Sequence, residues 1–331
     1  MAAAQSLAPP SDQDAPRAIV SRGSRGDMVF HGVLRAAGLS VLAIISLILV
    51  FLVVRSTWAL STRGFSFLTT QNWIFSGNDF GVGGLLPNTI LIAVIAMVIS
   101  IPVALATAIF ISEYAPGALR RPLIAIIDLM AAIPSIVYGL WGRFFLMPRM
   151  VGVDSWLSRH WSWFPAFKIT IPQSASTFVG SPFIAGVVVS LMAIPIITSL
   201  SREVFSQAPQ GEREGAYALG STRWGMVRTV VLPFGQGGVI GATMLGLGRA
   251  LGETIAVLLV ITPVYNLQWH LLQSGGGSIA ATIALLFNEA GPHILSALMA
   301  AGLILFAITL IVNSLAAVVI SRSRSGAVTA D

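Results

Sequence analysis

The sequence is short of charge for its length. Only 10% of the 331 residues are Asp, Glu, Lys or Arg, whereas soluble domains carry about 25% charged residues. A further 55% of the residues are hydrophobic. A surface with so few charges cannot face water over most of its area, and lipid is the simplest alternative. The composition therefore predicts an integral membrane protein.

Several kinds of functional side chain are absent or scarce. There is no cysteine, which excludes disulfides, thiolate metal sites and thiol redox chemistry. The four histidines lie far apart in the sequence and form no His-Glu-x-x-His pair, so nothing favours metal catalysis. The single lysine, Lys168, follows Phe167 and is not part of a Gly-Lys-Ser/Thr phosphate-binding loop. We therefore expect no cofactor in this chain and no ATP chemistry of its own.

Six apolar runs are long enough to cross a bilayer, which takes about 20 helical residues. They cover residues 36–54, 85–111, 122–146, 183–200, 235–261 and 294–320. Pro102, Pro134 and Pro195 lie inside three of them and predict kinks. We expect an all-α transmembrane domain of six helices over residues 36–321.

Positive charge is distributed unevenly around these runs. With the N-terminus inside, twelve Lys and Arg residues fall in cytosolic segments and six fall in outer loops. By the positive-inside rule, both termini are predicted to be cytosolic. They would carry a largely disordered tail over residues 1–35 and a short tail over 322–331. Because the arginines bracket apolar runs and form no single basic face, the net charge of +6 does not indicate a nucleic-acid partner.

The loop between the fourth and fifth runs, residues 201–233, has the pattern of two short helices. Residues 211–219 have helical composition with acidic residues early, and Gly220 can adopt the left-handed conformation that ends a helix. Ser221 or Thr222 can then cap a second short helix. Such a pair has the shape needed to dock into a groove of a partner. The alternative is that the loop packs against the chain's own membrane helices.

The fifth run carries two opposite charges, Arg249 and Glu253. In a continuous helix they lie one turn apart on the same face. Arg249 is about 21 Å along the run at 1.5 Å per residue, where an arginine is costly and must face a cavity or a partner. Either the two charges only neutralise each other, or Arg249 faces the path of an anion. A guanidinium suits a tetrahedral oxyanion because its donors form a planar fork.

Two weaker features lie in the same runs. Gly248 and Gly252 form a small-xxx-small pattern that predicts close helix packing. Asp128, in the third run, is interpreted first as an ion-pair partner of Arg120 or Arg121 near the cytosolic face.

The 201–233 loop resembles the EAA motif of binding-protein-dependent ABC importer permeases. That motif reads Glu-Ala-Ala, three residues, Gly, nine residues, Ile, one residue, Leu-Pro. The matching positions here are Glu214, Gly215, Ala216, Gly220, Val230, Leu232 and Pro233. Gly215 for Ala and Val230 for Ile are the departures. In that family the element couples ATP hydrolysis in a separate subunit to movement of the permease, so the resemblance implies a coupling role for these residues.

Residues 101–116, 129–142 and 246–257 resemble the phosphate importer permeases of the PstC type. The resemblance implies a type I ABC importer permease fold in a bacterial plasma membrane, with inorganic phosphate as substrate. It also implies a PstA-like second permease, two PstB-like ATPase subunits that bind ATP and Mg, and an extracytoplasmic PstS-like phosphate-binding protein. Arg249 and Glu253 correspond to the charged pair of the translocation path in that family.

Two alternatives stay open at this stage. One is an importer of another oxyanion, such as sulfate, molybdate or a phosphonate. The other is an ion-coupled secondary transporter, for which charges within a span would suffice. The second alternative leaves the motif of the 201–233 loop unexplained.

Overall fold

A computed structural model describes residues 25–323, except for 75, 77, 172 and 173. Its helices, in chain order, are α1 (Arg25–Arg63), α2 (Ser66–Thr69), α3 (Leu85–Ile109), α4 (Gly117–Ala132), α5 (Ser135–Trp141), α6 (Met147–His160), α7 (Ala175–Phe178), α8 (Pro182–Ser206), α9 (Gln210–Ala218), α10 (Arg223–Met226), α11 (Leu232–Gly252), α12 (Ile255–Val260), α13 (Ile279–Leu286) and α14 (Pro292–Ser323). Two-residue strands β1 (Trp73–Ile74) and β2 (Asp79–Phe80) pair antiparallel, with Trp73 opposite Phe80.

The described residues include three π-helical turns, of which the first ends a helix and the other two join consecutive helices, and two 3₁₀ turns in the loops. The π turns are Phe110–Tyr114 after α3, Gly142–Leu146 before α6 and Val227–Val231 between α10 and α11. The 3₁₀ turns are Pro165–Phe167 and Phe287–Glu289. π turns are rare and often lie at functional sites, and two of these three adjoin the 201–233 loop.

The expected all-α membrane fold is confirmed. Within the described residues, five continuous helices are long and apolar enough to cross a membrane, and a bent pair makes a sixth candidate. The five are α1, α3 with its π turn, α8, the run from α10 to α11, and α14.

The third predicted span is sharply bent. It is divided into α4 and α5–α6, which meet at 90°. The break falls at Ile133 and Pro134, whose backbones are extended (ψ 128° and 142°). Proline disfavours the helical conformation of the residue before it, which explains the position of the break. Across the bend, the Tyr138 hydroxyl donates to the Met130 carbonyl oxygen at 2.9 Å.

The other two prolines do not break their helices. Pro102 lies within α3 and Pro195 within α8, and both helices continue past them.

By internal contacts the chain divides into residues 1–50 and residues 51–331. In the first unit, α1 already includes residues 25–35, so the helix extends into the segment that we expected to be disordered. In the second unit, α14 continues to Ser323, past the expected end of the membrane domain. The rest of the predicted tails, residues 1–24 and 324–331, lies outside the described residues.

Small residues allow the spanning helices of the second unit to pack closely. A β-carbon at Gly186 of α8 would lie 2.5 Å from the Ile95 side chain of α3. One at Gly246 of α11 would lie 2.7 Å from the Ile197 side chain of α8. Helices in lipid associate mainly through such close contact, because lipid tails are as apolar as the side chains. Helices α3, α8 and α11 therefore form the rigid framework that holds the residues discussed next.

Candidate translocation path and coupling loop

Arg249, near the end of α11, lines a cavity of about 640 Å³. The other lining residues are Ile196, Gly241, Met244, Leu245, Gly248 and Asn313. The Nε atom of Arg249 is buried and has no hydrogen-bond partner among the described residues. The rest of the lining is mostly apolar, so Arg249 is the cationic group that an anion in this cavity would meet.

Glu253 lies one residue beyond the end of α11, so the continuous helix that the sequence predicts through both charges is not formed. Helix α11 ends at Gly252, and the Glu253 backbone is extended (φ −66°, ψ 125°). The buried Glu253 side chain turns to the next helix, where its Oε1 accepts from the Ala256 backbone N–H at 3.2 Å. No ion pair joins Arg249 and Glu253 in the described part of the chain. The described residues therefore show no direct ion pair through which the two charges could neutralise each other.

The expected close packing of Gly248 and Gly252 is also absent among the described residues. A β-carbon at either position would meet no atom within 4 Å. Gly248 instead lines the cavity beside Arg249. Of the three glycines in this stretch, Gly246 is the one that makes a close helix contact.

Asp128 does not pair with Arg120 or Arg121 among the described residues. Its Oδ1 instead accepts from the Ser199 hydroxyl at 2.9 Å, which joins α4 to α8. Arg120 and Arg121 lie two turns away along α4, and the neutral hydroxyl is the nearer partner.

The sequence analysis missed Asn313, which brings a carboxamide from α14 to the Arg249 cavity. Asn313 lies inside an apolar run of 27 residues. A polar side chain in a membrane helix is costly, so Asn313, like Arg249, indicates a cavity or a partner. Because asparagine is uncharged, a search of the runs for charged residues does not find it. The cavity thus offers a guanidinium and an amide, both of which can donate to an oxyanion.

The 201–233 loop has the local geometry that the sequence predicts. Helix α9 ends with Gly220 in the left-handed conformation (φ +81°). The Gly220 N–H donates to the Tyr217 carbonyl at 2.9 Å and the Ser221 N–H to the Ala216 carbonyl at 3.1 Å, as in a Schellman motif. Thr222 then caps α10, since its Oγ1 accepts from the Gly225 N–H at 3.1 Å.

The second short helix, however, is not separate. Helical structure is continuous from Arg223 to Gly252, so Leu232 and Pro233 do not start a new helix after a break. The π turn Val227–Val231 keeps the helix continuous at this point. Its i to i+5 hydrogen bonds let the Leu232 N–H donate to the Val227 carbonyl oxygen. The next residue, Pro233, has no N–H to donate.

The loop has one packed face and one exposed face. Met226, Val227 and Val231 are buried. Tyr217, Leu219 and Trp224 are large, apolar and exposed, with relative exposures of 44%, 89% and 55%. The packing interpretation thus holds for one face of the loop, and the other face is exposed.

The motif positions are distributed over both faces. Glu214, Gly215 and Gly220 are exposed, and the Glu214 carboxylate accepts from the Gln210 side chain of the same helix at 3.0 Å. Ala216 and Leu232 are half-buried against the packed face. Pro233 is exposed on the first turn of α11.

Position 215 should accept the alanine that the motif has there. A β-carbon there would meet no atom within 4 Å, and glycine costs a helix up to about 1 kcal/mol relative to alanine. Gly215→Ala should therefore raise the thermal unfolding temperature slightly and leave transport unchanged. Unfolding of the purified protein and uptake in cells measure the two effects. A loss of uptake would show that the missing methyl group is needed at a contact made by this face.

The comparisons with known proteins agree with this arrangement. Residues 100–325 match the family described as "Binding-protein-dependent transport system inner membrane component". The chain belongs to this permease family. The matched region includes the 201–233 loop, Arg249 and Asn313.

Several curated relatives of this permease are named phosphate transport system permease protein PstC. PstC 2 of Mycobacterium bovis is 40% identical over 306 residues, which cover 91% of this chain and 94% of the relative. PstC of Mesorhizobium japonicum is 38% identical over 326 residues, which cover 96% and 98%. PstC of Pasteurella multocida is 39% identical over 297 residues, covering 89% and 92%.

Two solved structures share the fold of the permease. One is a methionine ABC transporter in an inward-facing conformation, with a TM-score of 0.50 at 17% identity over 72% of this chain and 92% of that one. The other is a bacterial ABC transporter involved in import of the acidic polysaccharide alginate, with a TM-score of 0.54 at 16% identity over 89% and 99%. The permease thus has the type I ABC importer fold. It is a non-catalytic, multi-pass component of an ABC transporter complex that contains other subunits.

Proposed function

We propose that this permease carries inorganic phosphate across the bacterial plasma membrane into the cytosol. The observation that carries the proposal is the identity of about 40% to permeases named for phosphate transport, over nearly the full length of both chains. The cavity lined by Arg249 and Asn313 supports it, because a planar guanidinium and an amide both donate to tetrahedral oxyanions.

The energy comes from a separate ATPase. This chain has no phosphate-binding loop, so ATP and Mg are bound by a PstB-like subunit pair. The exposed apolar face of the 201–233 loop, with Glu214 and Gly220 beside it, receives that subunit. A PstA-like permease completes the path, and a PstS-like protein delivers phosphate from outside. ATP binding then opens the cavity outward and hydrolysis resets it, which is alternating access.

This arrangement requires the loop to lie in the cytosol, and hence both termini too. The excess of Lys and Arg in the same segments supports this orientation. A cysteine introduced into the naturally cysteine-free chain tests it. Ser221→Cys should react with a membrane-impermeant maleimide only after the cells are opened. Reaction in intact cells would reverse the proposed topology.

Uptake of radiolabelled phosphate tests the substrate. Cells that lack the gene should regain uptake when it is restored, and that uptake should stop when ATP is depleted. Excess sulfate, molybdate and phosphonate should not compete. Competition by one of these would reassign the permease to that oxyanion. Uptake that survives ATP depletion but stops when the ion gradient collapses would instead indicate a secondary transporter.

A further inference from the structure

An ion pair joins the 201–233 loop to the end of a spanning helix. Arg213 of α9 donates through Nη1 to Glu113 Oε2 at 3.0 Å, and Glu113 lies in the π turn that extends α3. Through Nη2 the same guanidinium donates to the Phe205 carbonyl oxygen of α8 at 2.6 Å. One side chain thus connects α9 to two spanning helices.

The Glu113 end of the pair is buried, and the Arg213 end is partly exposed. The Glu113 side chain is only 4% exposed and that of Arg213 is 21% exposed. A buried apolar cluster joins the same elements and consists of Ala108, Phe205, Ala208, Met226, Val227 and Val231. An unpaired buried charge is costly, so the ion pair stabilises Glu113 and holds Arg213, and with it α9, at this point. Oε1 of Glu113 and Nε of Arg213 have no hydrogen-bond partner among the described residues.

A second contact reinforces the first at the adjacent residue. The Arg223 guanidinium, at the start of α10, lies over the Tyr114 ring at 5.0 Å from its centroid, within the range of a cation–π interaction. Both arginines belong to the loop, and both partners belong to the same π turn. The loop is therefore held to the end of α3 on both sides of Gly220.

Few other polar contacts hold α9. In the described part of the chain, the side-chain hydrogen bonds from α9 to other helices are the two made by Arg213. The neighbouring Glu214 bonds within α9. A force applied to the exposed face of α9 would thus reach α3 and α8 through Arg213 and through the apolar cluster beneath it.

We propose that Arg213 and Glu113 form a latch that transmits movement of α9 to α3 and α8. They are positioning residues, which touch neither substrate nor nucleotide. The latch rests on the proposed function, because it assumes that the loop receives the ATPase. Coupling through packed, hydrogen-bonded elements changes an equilibrium when those elements move as one body. Without the latch, α9 moves while α3 and α8 lag, so ATP is hydrolysed without phosphate movement.

The test is the number of phosphate ions moved per ATP hydrolysed. The whole complex, purified with its partner subunits, is reconstituted in proteoliposomes, and both rates are measured. Glu113→Gln keeps the shape and one acceptor oxygen but removes the charge. We expect it to lower the ratio by about fivefold or more, the ordinary range of coupling between sites, while ATP hydrolysis continues. A merely structural defect would lower both rates together and leave the ratio unchanged.

A matched control lies at the same end of α8. Glu203 is 59% exposed and pairs with Arg202, which is 17% exposed, at 3.7 Å. Glu203→Gln removes the same charge from an exposed carboxylate and should leave the ratio unchanged. Arg213→Lys keeps the positive charge but loses the fork that reaches two acceptors; it should give an intermediate ratio.

An unchanged ratio in Glu113→Gln overturns the latch. Where that variant fails to reach the membrane in normal amount, Arg213→Lys decides instead, and an unchanged ratio there overturns it. Failure of the proposed function is seen separately. In that case the unsubstituted complex itself moves no phosphate, whatever the state of the latch.

Discussion

Replacement of Arg249 by Leu should abolish phosphate uptake while the permease reaches the membrane in normal amount. Arg249 is the cationic side chain that lines the cavity of α11 and α14, and its Nε has no hydrogen-bond partner among the described residues. A hydrogen bond to a charged group is worth about 1.5–3 kcal/mol. The loss of two such bonds to phosphate predicts a fall in uptake of about a hundredfold or more.

The control for this substitution changes the same cavity without changing its charge. Met244→Leu alters an apolar lining residue by a nearly volume-conserving exchange, so uptake should stay within about twofold of the unsubstituted level. Arg249→Lys should retain a reduced uptake, because an ammonium attracts the anion but cannot bind it with a planar fork. Uptake of labelled phosphate is measured for Arg249→Leu, Met244→Leu and Arg249→Lys, and an immunoblot gives the amount of each variant in the membrane.

The double variant Arg249→Leu with Glu253→Gln addresses the remaining alternative. If the two charges only neutralise each other, removing both should preserve uptake. The structure gives Glu253 another task, the cap of α12 through the Ala256 N–H, and glutamine keeps an acceptor for that bond. We therefore expect the double variant to be as inactive as Arg249→Leu alone. Normal uptake in the double variant would contradict the anion-path role.

The features that the sequence predicts well are those set by local chemistry. Gly220 ends α9 in the left-handed conformation, and Thr222 caps α10. Each depends on one residue type and its immediate neighbours, so a short stretch of sequence is enough to predict it. The apolar runs are equally local, because a bilayer imposes a length on every helix that crosses it.

The features that the sequence does not predict depend on distant contacts or on one backbone torsion. Glu113 and Arg213 are 100 residues apart, and nothing in either segment indicates the other. Helix α11 ends at Gly252 because the backbone of the next residue, Glu253, takes an extended ψ of 125°, and the helical pattern of the sequence does not indicate this torsion. Proline predicts a break at Pro134 but not its angle of 90°, since α5 also packs against the distant helix α12.

Substitution of Gly220 by Pro should prevent the ATPase from co-purifying with the permease and should abolish uptake. Gly220 has φ +81°, whereas a proline ring holds φ near −65°, so the connection between α9 and α10 cannot keep its course. Proline also removes the Gly220 N–H that donates to the Tyr217 carbonyl. The exposed apolar residues on the two sides of Gly220 then no longer form one surface.

Alanine at two glycines of the same loop separates backbone strain from the added methyl group. A β-carbon meets no atom within 4 Å at either Gly215 or Gly220, so the methyl group itself is tolerated at both. At Gly220 the left-handed conformation costs a residue with a β-carbon roughly 1–2 kcal/mol, whereas at Gly215 alanine favours the helix. Gly220→Ala should thus weaken ATPase co-purification partially, and Gly215→Ala should not weaken it. Equal retention of the ATPase by Gly220→Pro and Gly215→Ala would mean that the turn at Gly220 does not shape the docking surface, and the coupling role of this loop would have to be abandoned.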